Sequence, residues 1–328
     1  MQAKVRIGMV GAGAVAARHV RTLLAMDGVE VAAVADPALE RAKELAAGAG
    51  AAAYPNHMEL LDGERLDAVY ICVPPFAHGA PELAVIDAGL PMFVEKPVAI
   101  DQETSETIAA RLDGRPLITC TGYHWRWLDI FDRAADLLAD RPARLVQCSW
   151  LDKVPPPPWW LRRDGSGGQT IEQTTHVLDT ARGLAGDVVE VHAYGEAALP
   201  AADIHDVSVA TLRFASGAVG TVASTCVLPR LHRAGVHIVA DGLSLELTET
   251  ELLVENGRRE AWTADADARP RPDRDFVAAV RGEENRIRVP WPEAYRTHLV
   301  ACAITRSADE GRPLAVEGAP VDREADGG

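Results

Sequence analysis

Apolar runs and helical patterns alternate over the first 122 residues. Five apolar runs have the length and composition of buried strands, at residues 5–10, 29–35, 68–73, 92–95 and 117–121. The stretches between them have helical character, at residues 15–25, 38–47, 58–61, 80–88 and 103–112. Because continuous apolar strands separated by helices are typical of parallel sheets covered on both faces, we predict a doubly wound, Rossmann-type α/β domain over residues 1–122.

After residue 122 the pattern changes to a succession of strand-like runs, and those from residue 188 onward have no helices between them. They lie at residues 145–150, 188–194, 207–214, 218–226, 236–240 and 243–247. Asn256-Gly257 then separates runs 252–255 and 258–262, which is a hairpin signal. The pattern predicts an α+β domain over residues 123–328, with an open, mostly antiparallel sheet and helices on one face. A closing helix over residues 292–310 is a candidate to pack back on the first domain.

Composition narrows the class of partner. The 328 residues are 48% hydrophobic, which is enough for two packed cores. The formal net charge of −15 disfavours nucleic acid and anionic membranes, so we expect a small-molecule substrate. The five cysteines are scattered without a C-x-x-C pair, and no apolar run approaches about 20 residues. We therefore expect a cytoplasmic protein without a metal site, signal peptide or membrane span.

The segment Gly11-Ala12-Gly13-Ala14-Val15-Ala16 follows the first strand and opens the first helix. It matches the G-x-G-x-x-G/A pattern of dinucleotide-binding turns. Gly11 permits the tight turn, Gly13 lets a pyrophosphate approach the backbone, and Ala16 lets helix and strand pack closely. An alternative is a small-residue turn in an alanine-rich chain.

Asp36 supports the dinucleotide interpretation. It ends the second strand, 23 residues after Gly13, where an acidic side chain accepts hydrogen bonds from the adenosine ribose. A carboxylate there repels a 2′-phosphate, so we predict NAD rather than NADP. Arg41 would weaken that preference if it turned inward. Asp36 could also cap the helix that follows Pro37.

Further motifs carry a family resemblance. Ile71-Cys72-Val73-Pro74-Pro75 ends a strand and is followed by His78, and Glu95-Lys96-Pro97 ends the next strand. Gly167-Gly168 precedes a helix that runs from Glu172 through His176 to Asp179 and closes at Gly186. These motifs resemble the glucose–fructose oxidoreductase, inositol dehydrogenase and rhizopine-catabolism (Gfo/Idh/MocA) family, nearly from end to end.

The resemblance implies NAD(P)-dependent oxidation or reduction of sugars, cyclitols or their derivatives. It also implies an antiparallel sheet that carries the substrate and often an oligomer interface, so we expect a homodimer or homotetramer through that sheet. The predicted cofactor-binding residues are Gly11, Gly13, Ala14, Val15, Ala16, Asp36, Arg41, Pro74, Pro75, His78, Glu95 and Lys96. One departure concerns the helix motif: the family's commonest pattern has Asp where Glu172 stands and Gly where Thr174 stands.

Lys96 is the first candidate for proton transfer. It ends a parallel strand, where ligands of open α/β sheets bind. Burial or a nearby positive charge such as the oxidised nicotinamide would lower the pKa of a lysine toward neutrality. By resemblance Lys96 is a catalytic residue; the alternative is a solvated surface lysine.

His176 is the second candidate, with Glu172 as a catalytic partner. At about 100° per residue, Glu172, His176 and Asp179 fall on one helical stripe. Glu172 would then fix the tautomer of His176, which would exchange a proton with the substrate hydroxyl. The alternatives are a plain amphipathic helix with a charged outer face, and a zinc site, for which the family gives little support.

Aromatic residues cluster between positions 123 and 160. Tyr123, Trp125 and Arg126 directly follow the last strand of the first domain, and Trp159-Trp160 follow a proline run. Rings and a guanidinium suit a polyol, so we predict substrate-binding roles for these five residues, for His176 and for Asp179. Packing in a core or an interface is the alternative.

Two other functions share the predicted fold. One is an NAD-dependent glycosidase acting through transient oxidation, which would show no net NADH production. The other is a non-catalytic NAD-binding regulator, which the presence of Lys96 and His176 disfavours.

Overall fold

The computed structural model describes residues 4–266 and 268–318. The chain forms two compact units. The first comprises Met1–Gly122 and Arg269–Glu293, and the second comprises Tyr123–Ala268 and Ala294–Gly328. The sequence predicts one boundary after residue 122; the structure divides there as well and also returns residues 269–293 to the first unit.

The first unit contains a six-stranded, all-parallel sheet in the order β3-β2-β1-β4-β5-β6. Its strands are β1 Val5–Val10, β2 Val29–Ala35, β3 Ala52–Tyr54, β4 Ala68–Ile71, β5 Met92–Val94 and β6 Thr119–Thr121. This order confirms the predicted doubly wound sheet. The apolar runs are continuous because helices cover both faces of such a sheet.

Among the described residues, six α-helices belong to the first unit. They are α1 Ala14–Leu24, α2 Leu39–Ala49, α3 His57–Gly63, α4 Ala80–Asp87, α5 Gln102–Leu112 and, from the returning segment, α9 Arg271–Val280. Asn56 and Asp101 cap α3 and α5 by accepting hydrogen bonds from backbone N–H groups three residues later. The buried stripe of α1 is Ala16, His19, Val20 and Leu23, so an imidazole lies in the apolar face of this helix.

The second unit contains a nine-stranded sheet in the order β14-β13-β12-β11-β7-β10-β9-β8-β15. The strands are β7 Leu145–Leu151, β8 Val188–Glu196, β9 Val207–Phe214, β10 Val219–Thr225, β11 Arg233–Ala240, β12 Leu243–Leu247, β13 Glu251–Glu255, β14 Arg259–Thr263 and β15 Leu314–Ala315. β7 and β10 pair in parallel and the other recorded pairs are antiparallel, which confirms the predicted mostly antiparallel sheet.

Helices pack on one face of this second sheet. They include α6 Asp129–Leu138, α8 Thr175–Ala185 and α10 Trp291–Glu310, while α7 Arg163–Ser166 is a single turn. Buried side chains of α6, α8 and α10 form one apolar cluster with the inward side chains of the strands. Along β9, every second residue is buried, which is the alternation expected of a sheet covered on one face.

All five cysteines are described, and they are buried and form no disulfide bond. Within the part of the chain that the structure describes, no helix has the length and apolar character needed to cross a membrane.

Candidate active site

The turn after β1 can be formed only by glycine at its first position. Gly11 has φ +98°, and a Cβ built on it would lie 2.2 Å from the carbonyl oxygen of Cys72 at the end of β4. Its N–H donates to Ala35 O at the end of β2 at 2.8 Å. Both the backbone conformation and the close approach of neighbouring strands therefore exclude a side chain at Gly11.

Glycine at position 13 has a different structural consequence. A Cβ on Gly13 would meet no described heavy atom within 4 Å, so the missing side chain leaves open space in front of α1. Ala14 and Val15 are exposed in the first turn of that helix, whereas Ala16 is buried beneath it. No described side chain caps this helix start. An open helix N-terminus preceded by a glycine fits a pyrophosphate, which binds backbone N–H groups there.

Asp36 lies beside the same turn. Its Oδ2 accepts a hydrogen bond from Ala12 N at 2.9 Å and its Oδ1 accepts one from Ala38 N at 2.8 Å. Asp36 thus fixes the Gly11–Ala16 turn and the loop between β2 and α2. The N-cap position of α2 is occupied by Ala38. Each carboxylate oxygen has a second lone pair, which leaves acceptor capacity for ribose hydroxyls. Arg41 is exposed on α2.

The loop after β4 is held by a buried histidine. Pro74 is half-buried and Pro75 is buried at the start of a short 3₁₀ turn. The side chain of His78 is 0% exposed, and its Nδ1 lies 2.6 Å from Glu82 Oε1. These contacts favour a role for His78 in fixing the loop, in place of the direct cofactor contact that the sequence predicts.

Glu95 and Lys96 follow β5 at the same edge of the sheet. Backbone hydrogen bonds place them beside the end of β4, since Glu95 N donates to Ile71 O at 2.9 Å. The buried Glu95 carboxylate accepts from the N–H of Lys96 through Oε2 at 3.2 Å, and from Arg18 Nη2 through Oε1 at 3.2 Å. Lys96 is half-buried, and its peptide bond to Pro97 is cis.

His19 joins Glu95 to the returning segment of the first unit. Its Nε2 lies 2.9 Å from Glu95 Oε1, and its Nδ1 lies 2.6 Å from Asp273 Oδ1 in α9. Burial opposes the charged form of the imidazole, but the two carboxylates outweigh that penalty and raise the pKa of His19 to about 9. The pKa of Glu95 is lowered despite its burial, because His19, Arg18 and Lys96 favour the carboxylate.

In the second unit, His176 lies in an aromatic cluster. Its ring is 9% exposed and is nearly parallel to Trp150, at a centroid distance of 5.5 Å, and to Trp125, at 6.3 Å. Tyr123 and His124 approach the ring edge-on, at 5.9 and 5.5 Å. Tyr123 and Trp125 are themselves buried, so their position favours the core-packing alternative and a role in shaping the surroundings of His176.

Glu172 lies one turn before His176, in a π-helical turn over Thr170–Thr174. Its Oε2 accepts a hydrogen bond from the indole N–H of Trp160 at 3.0 Å. Trp160 is 1% exposed and Trp159 is half-buried, so the Trp160 side chain anchors its loop to the π-helical turn that precedes α8. The predicted tautomer-fixing contact between Glu172 and His176 stays a prediction.

The burial of Asp179 disfavours the alternative of a plain amphipathic helix with a charged outer face. It is 0% exposed, and its two oxygens accept from Arg126 Nε at 2.8 Å and Nη2 at 3.2 Å. Thr297 Oγ1 in α10 donates to the same carboxylate at 3.0 Å. Arg126, 53 residues earlier in the chain, therefore neutralises the Asp179 carboxylate inside the core. Because Arg126 and Asp179 are hydrogen-bonded to each other, their position favours a structural role over the predicted contact with the substrate.

Family models match both parts of the chain. One, described as an oxidoreductase family with an NAD-binding Rossmann fold, matches residues 5–123, and the GFO/IDH/MocA C-terminal domain matches residues 142–246. The chain belongs to the GFO/IDH/MocA oxidoreductase family. The first unit is therefore its NAD-binding domain.

Individual members of the GFO/IDH/MocA family are similar to the chain. Myo-inositol 2-dehydrogenase of Thermotoga maritima is 28% identical over 228 residues, 66% of this chain and 67% of that protein. The WlbA dehydrogenase from Bordetella pertussis, solved with NADH and UDP-GlcNAcA, has a TM-score of 0.84 at 21% identity and covers 97% of this chain and 100% of its own. A levoglucosan dehydrogenase solved with NADH and levoglucosan has a TM-score of 0.85 at 20% identity, with 96% and 100% coverage. At these identities the two structures show the shared fold.

Three residues of this family member escape the sequence prediction. His19 and its partner Asp273 continue the row that begins at Glu95 in the first unit, and Trp150 stacks on His176 in the second. A signal for His19 existed, since it occupies the apolar stripe of α1. The sequence contains no such signal for Trp150 or Asp273, because their contacts join segments that are far apart along the chain.

Proposed function

We propose that the protein is an NAD(H)-dependent oxidoreductase that transfers hydride between nicotinamide and a hydroxyl-bearing carbon of a sugar, cyclitol or sugar derivative. The observation that carries the proposal is the row formed by the Gly11–Ala16 turn, Asp36 and Lys96 along one edge of the parallel sheet. Such an edge is where dinucleotides bind. The substrate class is supported by relatives named for inositol and levoglucosan and by a dehydrogenase solved in complex with UDP-GlcNAcA.

The nicotinamide, when bound, supplies the hydride acceptor or donor. The chain's own contribution is to hold the phosphates at the start of α1 and to move the hydroxyl proton. We assign the proton transfer to Lys96, whose backbone is held by Glu95 at the end of β5. A lysine side chain fixed at this edge can take or return a proton from a hydroxyl that lies within hydrogen-bond reach.

His176 is proposed as the second proton-transfer residue, with Glu172 in the preceding turn as its predicted partner. The stacked Trp150 and Trp125 rings restrict the orientation of the imidazole. A ring held in one orientation loses little entropy when it binds a substrate hydroxyl, which supports a catalytic or substrate-binding role.

NAD is the proposed cofactor in preference to NADP. The support is Asp36, because its carboxylate lies beside Ala12 and would repel a 2′-phosphate at the adenosine ribose. Replacing Asp36 with alanine should therefore lower the ratio of kcat/KM for NAD to that for NADP. An unchanged ratio would exclude Asp36 as the selectivity residue.

The decisive experiment is an NADH absorbance assay over a panel of sugars, cyclitols and glycosides. We expect NADH formation with at least one free sugar or cyclitol, and a loss of turnover of about 10²-fold or more in Lys96→Met and in His176→Gln. Near-normal turnover in both variants would contradict the assignment. Glycoside cleavage without net NADH would identify the glycosidase alternative, and NAD binding without turnover would identify the regulator.

A homo-oligomer formed through the second sheet is a separate proposal. The support is two pairs of exposed apolar side chains on the outer face of strands β7, β8, β9 and β10, formed by Leu145, Tyr194, Val209 and Val219, which are 37%, 64%, 47% and 55% exposed. Leu145 pairs with Val219, and Tyr194 with Val209, so each pair shares a cross-strand row. Ala210 and Leu212, which alternate with Val209, face the helix-covered core.

Exposed apolar side chains in the middle of a sheet are typical of protein interfaces, and a second copy of this chain is the proposed partner. Light scattering should therefore detect a dimer or tetramer that Val219→Arg weakens. Met58→Arg, at an exposed apolar position in the first unit, is the matched control. A monomeric wild-type protein at micromolar concentration would overturn this proposal.

A further inference from the structure

The hydrogen bonds of His19 require a protonated ring. Its two nitrogens lie 2.9 and 2.6 Å from carboxylate oxygens of Glu95 and Asp273. A neutral imidazole has one N–H, so one carboxylate would face a lone pair at hydrogen-bond distance. An imidazolium donates to both. The structure therefore contains a buried row of negative, positive and negative charge inside the first unit.

The surroundings of His19 are mostly apolar. Its ring lies 5.4 Å from Tyr70 and 5.0 Å from Phe93, measured between centroids, and Phe276 packs edge-on against both of those rings. Low polarity strengthens the attraction between the imidazolium and its carboxylates. The charged or titratable groups around this row are Arg18, Tyr70, Cys72, Lys96, Cys120 and Asp275.

Glu95 links this row to Lys96. Its Oε1 binds His19 and Arg18, and its Oε2 accepts the backbone N–H of Lys96. Gly122 makes room for this carboxylate, because a Cβ there would lie 2.6 Å from the carboxyl carbon and both oxygens of Glu95. The position of Lys96 is thus set by a carboxylate that is held from one side by His19.

We propose that His19 is a positioning residue for Lys96. The imidazolium keeps Glu95 ionised and fixed, and Glu95 in turn holds the backbone of Lys96. The role of Lys96 in proton transfer rests on the function proposed above, whereas the link from His19 through Glu95 to the Lys96 amide is a property of the fold.

Hydrogen exchange at the Lys96 amide tests the link directly. In His19→Gln, which cannot carry the charge, we expect the Lys96 amide to exchange at least about tenfold faster than in the wild type, as measured by mass spectrometry with residue-level fragmentation. Exchange in β9 of the second unit should stay unchanged. His298→Gln, which alters another buried histidine, is the matched control and should leave the Lys96 amide at its wild-type rate. An unchanged Lys96 rate in His19→Gln would overturn the proposal.

A kinetic cycle separates this proposal from the catalytic assignment. His19→Gln should lower kcat by about tenfold in the wild-type background and by less than about twofold in Lys96→Met, because the two residues act through one group. Equal losses in both backgrounds would refute the positioning role even if Lys96 is catalytic. Full activity in Lys96→Met would instead refute the catalytic assignment and leave the exchange result standing. If His19→Gln does not fold, Glu95→Gln removes the same link and should give the same two results.

Discussion

The two units bury ionised side chains in different ways. In the first unit, His19 lies between Glu95 and Asp273. In the second, the Arg126 guanidinium forms a two-bond pair with Asp179. A guanidinium stays charged at every accessible pH, whereas an imidazolium can lose its proton. The buried row of the first unit can therefore lose its central positive charge as the pH rises, whereas the Arg126 guanidinium keeps its charge.

The difference between the histidine row and the arginine pair matches the role proposed for each region. The histidine row ends at Glu95 and Lys96, where the proposed proton transfer takes place. The arginine pair includes Asp179 of α8, the helix that carries His176, and is extended by Thr297, which accepts from Arg182 Nη1 at 2.7 Å. A permanent charge pair suits a region that only has to hold a helix in place, because its strength does not vary with pH.

The largest effect is expected from breaking the arginine pair. Asp179→Ala removes the bidentate carboxylate of a guanidinium that is 8% exposed, which should lower the free energy of unfolding by about 3–5 kcal/mol. Urea unfolding measures this loss. Arg213→Ala breaks an exposed pair with Glu190 and should cost below about 1 kcal/mol, so equal losses in the two variants would contradict the comparison.

The next effect is a pH dependence that belongs to the first unit. The pKa of His19 is raised from 6.5 to about 9, so the protonated ring contributes stability that is full below about pH 6.5 and is lost as the pH rises through 9. The contribution is about 3 kcal/mol. Urea unfolding at pH 6.5 and at pH 9.5 should show this loss in the wild type and not in His19→Gln. A parallel decline in both proteins would assign the pH dependence to other groups.

The smallest expected effect on stability distinguishes Gly13 from Gly11 in the turn after β1. Gly13→Ala should change the free energy of unfolding by less than about 0.5 kcal/mol, since its Cβ meets open space, yet raise the Kd for NAD at least about tenfold. Gly11→Ala should cost about 1–3 kcal/mol of stability as well, because of its φ of +98°. Calorimetric titration and thermal unfolding measure the two quantities. Wild-type NAD binding by Gly13→Ala would show that no phosphate approaches this position.

Much of the fold could be predicted from local patterns. Strand β9 was predicted at its observed bounds because its side chains alternate between core and solvent. Strand β3 was missed, since its three half-buried residues are too few to show a period. The buried stripe Ile130, Phe131, Ala134 and Leu138 is a signal for α6 that the sequence prediction does not use.

The site was predictable only where its parts are local. The turn at Gly11 and the acidic residue Asp36 follow from spacing along one β-α-β unit. The partners of His19 and Asp179 do not, because Asp273 and Arg126 reach them from distant segments. Helical periodicity gives the face on which a charge lies, but it does not reveal whether an opposite charge covers that face.

The return of residues 269–293 to the first unit has a consequence for synthesis on the ribosome. Asp273 leaves the peptidyl-transferase centre 254 residues after His19, which takes roughly 10–50 s at ordinary elongation rates. During that interval the nascent first unit contains His19 without Asp273, the second of its two carboxylate partners. Completion of the NAD-binding unit is therefore delayed until most of the other unit has been translated, although its first 122 residues emerge first.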